Sequence, residues 1–122
     1  MSAWIHLMGK GMELPETVLS DLDLCATEAV QNIISYAYDD SACHRIHVRL
    51  SRAQSQVHLE VEDDGVPFNP LEFPPAPIAS SLERAPLGGR GIQLIRGLMT
   101  ECRYRRHNGK NILTMGRTCV PR

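Results

Sequence analysis

Three stretches of the chain carry residue types able to do chemistry at a fixed spacing. In "LCATEAVQNIISYAY", Glu28 and Asn32 stand one helical turn apart, which sets them ~40° from each other around a helix axis. An acid and an amide at the rim of a buried face can share a cleft, where the amide oxygen ligates a hard cation such as Mg²⁺ and the carboxylate takes a proton. A solvated helix flank has the same pattern, and the pair alone favours that flank. In "VEDDGVPFNP", Val57, Leu59 and Val61 alternate on one strand face, and Asp63 keeps their parity while Asp64 points the other way. A core-facing carboxylate needs a donor, because burying it unpaired is expensive, and an adenine exocyclic amine is one candidate. A strand ending before Asp63 would instead leave a solvated turn acid, with Gly65 supplying a positive φ. In "LGGRGIQLIRGLM", Gly88, Gly89 and Gly91 lead into a helical pattern, and helix starts favour anions because their N–H groups are free and the dipole is positive there.

Two familiar phosphate motifs do not fit that glycine run. It lacks the third glycine of G-x-G-x-x-G, and prolines rather than a strand precede it. No Gly-Lys-Ser/Thr closes it as a Walker loop. The 122 residues suit one compact domain, and the net charge of -1 argues against general nucleic-acid binding. Arg103, Arg105, Arg106, Lys110 and Arg117 make the last third locally basic, which reads as a solvated strand face. The 4 cysteines form no C-x-x-C pair, so packed, reduced thiols are expected. No apolar run approaches the ~20 residues of a membrane span and no secretory leader pattern opens the chain, so the expected location is the cytoplasm.

The elements that must position these residues can be read from periodicity. Leu22, Cys25, Ala26, Ala29, Val30, Ile33 and Ala37 recur at helical steps, predicting a helix from Pro15 to about Ala37. "SAWIHLMGKGM" ahead of it reads as a short helical turn. Ile46, Val48 and Leu50, then Val57, Leu59 and Val61, predict two antiparallel strands. Pro67, Pro70, Pro74, Pro75, Pro77 and Pro86 exclude regular structure from the next stretch, which reads as a long loop of the kind that covers a site. A helix from about Gly91 to Thr100 follows, then "ECRYRR" and "NILTMGR" flank Asn108-Gly109, a hairpin signal. Helix, strand pair, loop, helix and strand pair pack best as an α+β two-layer sandwich, a mostly antiparallel sheet with helices on one face.

In this order the three stretches resemble the N box, G1 box and G2 box of the GHKL ATPase superfamily, most closely its anti-sigma-factor serine/threonine kinase branch. The resemblance runs over roughly residues 14 to 117, and the expected organisation is a single histidine-kinase-like ATPase domain over 1–122. The N box falls at about 22–38, the G1 box at 61–70, the ATP lid at about 69–88 and the G2 box at 87–99. The resemblance implies the Bergerat fold, and ATP and Mg²⁺ as ligands. It makes Asn32 the Mg²⁺ ligand, Glu28 the base that activates the attacking hydroxyl and Asp63 the acceptor of the adenine amine. Gly65 lets the base approach the backbone, Gly88, Gly89 and Gly91 sit beside the phosphates, and Thr114 falls near the adenine side. The part Arg90 plays, toward phosphate, partner or solvent, stays open. Tyr36 stands where the branch often has a His, and Thr100 where it has an acid. Ahead of the N box, where the branch usually has an additional strand and a longer helix that helps form a homodimer, only "SAWIHLMGKGM" stands.

The implied function is an ATP-dependent protein kinase that phosphorylates a small anti-sigma antagonist protein and holds a sigma factor, regulating transcription by partner switching. The alternative is a non-catalytic, nucleotide-gated protein-binding module. A severed sensor-kinase domain is a third reading, disfavoured because no dimerising helix with a phosphoacceptor His precedes the N box. None of these readings involves direct nucleic-acid or membrane contact.

Overall fold

The structure is a computed structural model, and it describes residues 1–37, 44–72 and 87–119. Helix α1 (Ser2–Gly11) is a full helix rather than a turn, and buries Ile5 and Gly9. The chain reverses at Glu13, whose φ is 60°. Pro15 then caps helix α2 (Glu16–Asn32) with φ -62° and ψ 153°, a position where its missing N–H costs nothing. Glu16 lies in the first turn, favourable to the helix dipole. Beyond Asn32 the helix loosens into a five-residue π-helical turn, Ile33–Ala37.

Strands β1 (Ile46–Ala53), β2 (Gln56–Asp63), β3 (Glu101–His107) and β4 (Lys110–Thr118) form a sheet of order β1-β2-β4-β3. Every neighbouring pair is antiparallel. The β3–β4 turn has φ of 50° at Asn108 and 74° at Gly109, the pair of positive values a tight two-residue hairpin needs. Helix α3 (Leu87–Leu98) packs on α2 and precedes that hairpin.

One sheet face carries the core. Val57, Leu59, Val61, Leu113 and Met115 meet Leu19, Leu22, Ala26 and Ala29 of α2 and Ile92 and Ile95 of α3. Cys25 and Cys119 are buried free thiols, and Cys102 is half-buried. Burial pushes the Cys25 thiol up to about 12. Among the described residues no helix is long and apolar enough to cross a membrane.

The other sheet face is charged. There Glu62 accepts hydrogen bonds from Arg49 Nη1 at 3.2 Å and Lys110 Nζ at 3.3 Å. Burial pushes the Glu62 carboxyl up, but the hydrogen bonds from Lys110 and Arg49 outweigh it and hold the group below its ordinary value. A depressed carboxyl contributes stability above its unfolded pKa and loses it as pH falls through the folded one. Glu62→Gln is therefore expected to melt below the wild type at neutral pH, with the two melting temperatures converging below about pH 4. A gap that persists in acid would show that packing, not charge, sets the effect.

Not all of the basic C-terminal third lies on this face. Arg117 turns to the helix side, where its guanidinium bonds Asp21 Oδ2 of α2 at 3.0 Å, and Arg106 reaches back to the loop after β2.

Candidate active site

Glu28 and Asn32 leave the same side of α2, and that side faces the first turns of α3. A methyl group placed on Gly91 would lie 2.8 Å from Glu28 Oε2 and 3.6 Å from Asn32 Nδ2. Only a glycine lets the helix backbone approach this closely. Asn32 is 4% exposed, and its Nδ2 has no hydrogen-bond partner among the described residues. A buried amide without a partner is uncommon and calls for one.

The glycine run is not a turn ahead of the helix but the first turn of α3 itself, which starts at Leu87 and ends at Leu98, against the expected 91–100. Leu87, Gly88 and Gly89 therefore offer backbone N–H groups that have no partner within the helix. Of the expected lid at 69–88, residues 70–72 form a 3₁₀ turn (Pro70–Glu72), 87 and 88 belong to α3, and 73–86 lie outside the described residues. Arg96 of α3 donates to the Leu71 carbonyl, tying that 3₁₀ turn to the far end of the helix.

Asp63 ends β2 and is 3% exposed, so the core-facing parity read from the sequence holds. Its Oδ1 accepts the Gly65 N–H at 2.8 Å and an Asn111 Nδ2–H at 2.9 Å. Gly65 is pressed against the end of the π-turn, where a methyl group would come within 2.4 Å of the Ala37 carbonyl oxygen. Val66 N–H donates to that same oxygen at 2.9 Å. Asn111 ties the rest of the loop, giving a second N–H to the Val66 carbonyl and accepting from Phe68 N–H at 3.1 Å and Tyr104 O–H at 2.5 Å. The Phe68 ring stacks on Tyr36 with centroids 5.4 Å apart. Asn32, Asp63, Phe68, Tyr104 and Asn111 line one narrow cleft. It has room for about one water, so a flat ring entering it must displace side chains such as Phe68.

Thr114 is placed elsewhere. It pairs with Glu60 and Arg103 on the open face of the sheet, in a roomier groove with His58, Glu101 and Ile112. Asn111, not Thr114, stands directly opposite Asp63 in the ladder. The physical reason is parity: Asn111 alternates inward with Leu113 and Met115, whereas Thr114 falls between them. Asn111→Ala is expected to cost about 2 kcal/mol in denaturant unfolding by stripping the buried Asp63 carboxylate of a donor, and Thr114→Ala to stay within about 0.5 kcal/mol. The reverse order would mean that Thr114 and not Asn111 supports the site.

A helix-covered antiparallel sheet brings an acid and an amide up to a glycine-started helix and closes its central strand with a buried aspartate. Over residues 2–117 the chain matches the histidine kinase-like ATPase domain family, and it belongs to that family. Its relatives include the serine/threonine-protein kinase BtrW of Bordetella bronchiseptica, 36% identical over 82% of this chain and 70% of that protein. The serine-protein kinase RsbW of Bacillus subtilis is 24% identical over 77% of this chain and 61% of its own length. Among solved structures, the blue-light activated histidine kinase EL346 of Erythrobacter litoralis shares the fold with TM-score 0.60 at 24% identity, over 87% of this chain and 32% of that one. The histidine kinase AdeS of Acinetobacter baumannii does so with TM-score 0.53 at 16% identity, over 84% of this chain and 48% of AdeS. The chain thus spans a third to a half of those solved kinases.

Proposed function

We propose that this chain binds ATP with Mg²⁺ and transfers the γ-phosphoryl group to a serine or threonine of a small antagonist protein, so controlling whether a partner such as a sigma factor is held. The observation that carries the reading is the close approach of Gly91 to Glu28 and Asn32, which brings together a carboxylate, a buried amide nitrogen with no hydrogen-bond partner among the described residues, and the first turns of α3. The two named protein kinases among its relatives support the phosphotransfer.

The residues present fit a magnesium ion. A half-turn of the Asn32 amide presents its oxygen where Nδ2 lies without a partner among the described residues, and a neutral oxygen suits a hard cation that keeps several waters and takes the rest of its ligands from phosphates. Among the described residues no cluster of three His, Cys, Asp or Glu competes for a metal. When bound, Mg²⁺ neutralises charge on the phosphate oxygens. The protein's own groups do the rest. Asp63 accepts from the base amine, the first-turn N–H groups of α3 receive phosphate oxygens, and Glu28 takes the proton of the attacking hydroxyl.

Purified protein with Mg-ATP and a candidate antagonist is expected to yield phosphoserine or phosphothreonine, at a rate that falls at least about a hundredfold in Glu28→Ala while ATP still binds. ATP binding by the wild type with no phosphorylation of any antagonist, together with ATP-dependent partner binding that survives Glu28→Ala, would replace the kinase by a nucleotide-gated binding module.

A further inference from the structure

Arg106 is one of the basic residues that composition assigns to a solvated strand face. Its position in the ladder is different. Asp63 of β2 pairs with Asn111 of β4, and Asn111 pairs with Arg106 of β3, so the three residues form one rung across three strands. All three side chains reach the same loop. Asp63 takes the Gly65 N–H, Asn111 takes the Val66 carbonyl and the Phe68 N–H, and Arg106 Nη1 donates to the Gly65 carbonyl at 2.7 Å. The peptide joining Gly65 to Val66 is therefore held at both poles, its C=O by Arg106 and its N–H by the Ala37 carbonyl.

We propose that Arg106 is a positioning residue for base recognition: it fixes the carbonyl end of Gly65, and through that residue the N–H on its other side that orients the Asp63 carboxylate which reads the base. The inference rests on the nucleotide-site reading above. A carboxylate discriminates between bases only while its free oxygen is aimed at the amine, and its aim here is set by the Gly65 N–H and the Asn111 Nδ2–H held at Oδ1. A guanidinium donates a charge-assisted hydrogen bond, stronger than a neutral one. Without it the Gly65 carbonyl turns to water, the loop between β2 and the 3₁₀ turn relaxes, and Asp63 loses one of the two donors that orient it. Tyr104 assists from the same strand by fixing the Asn111 amide.

The test is calorimetric titration of the full chain with Mg-ATP and with Mg-inosine triphosphate, which carries a carbonyl in place of the exocyclic amine. Wild type, Arg106→Ala, Arg106→Lys and Tyr104→Phe are compared, with melting temperatures taken without nucleotide. Arg106→Ala is expected to reduce the preference for ATP about tenfold, chiefly by weakening ATP. Arg106→Lys is expected to restore part of the preference, and Tyr104→Phe to lower it by a smaller factor. An unchanged ATP preference in Arg106→Ala would overturn the proposal. Equal weakening of both nucleotides would overturn it too, because that is the result of a general loss of structure or of direct phosphate contact. If Arg106→Ala does not fold, an unaltered preference in both Arg106→Lys and Tyr104→Phe decides against it. A wild type that binds neither nucleotide removes the nucleotide-site reading itself.

Discussion

Asp63→Asn is expected to lower ATP affinity at least about a hundredfold while leaving the protein folded. The substitution is nearly isosteric, so the asparagine oxygen can keep the two bonds that Oδ1 now accepts from Gly65 and Asn111. That choice fixes the rest of the group. Its amide nitrogen must then occupy the Oδ2 position, where a donor replaces an acceptor and faces the base amine, another donor. The ligand loses one hydrogen bond and gains a buried donor with no partner, and these penalties add. Stability should change by no more than about 1 kcal/mol, since the bonds inside the loop survive. Calorimetric titration beside a thermal melt separates the two quantities. An affinity within a few-fold of wild type would mean that the base does not bind at Asp63.

Much of this arrangement is legible in the sequence because it follows from periodicity. The helical steps from Leu22 to Ile33 identify the face of α2 that is buried, and the period of two through Val57, Leu59 and Val61 aims Asp63 inward. The Asn-Gly pair fixes the β3–β4 turn through its backbone requirement. What sequence reasoning misses depends on cross-strand placement. Ile112 and Leu113 are both apolar and both buried, so the alternation along β4 is blurred and gives no warning that Asn111 faces the core while Thr114 does not. The β2–β4 register, which sets Asn111 against Asp63, joins strands far apart in the chain and carries no local turn signal. Arg106 is hidden in the same way, since nothing in a run of arginines says which one reaches a carbonyl 41 residues back. The start of α3 is misread because glycine is a poor helix former. Leu87, Gly88, Gly89 and Arg90 are helical all the same, in the turn ahead of Gly91.

The close approach of Gly91 to Glu28 carries the second large effect. Gly91→Ala is expected to slow phosphotransfer about tenfold to a hundredfold without lowering the melting temperature. Two consequences of one methyl group act in opposite directions. Within a helix, alanine is favoured over glycine by about 1 kcal/mol because the unfolded chain loses freedom. Against this, the new Cβ would sit 2.8 Å from Glu28 Oε2. The clash is with the far end of a flexible side chain, which can rotate away, so the strain is relieved at little cost to the fold. The relief moves the carboxylate assigned to take the substrate proton. Misplacement of a base by a fraction of an ångström is enough to break the geometry that proton transfer requires. ATP affinity should fall less than the rate, because Asp63 and the base cleft lie away from the new methyl. Single-turnover phosphotransfer with saturating Mg-ATP, measured beside a melt, tests the pairing. A rate equal to wild type would show that Glu28 tolerates displacement and is not the base.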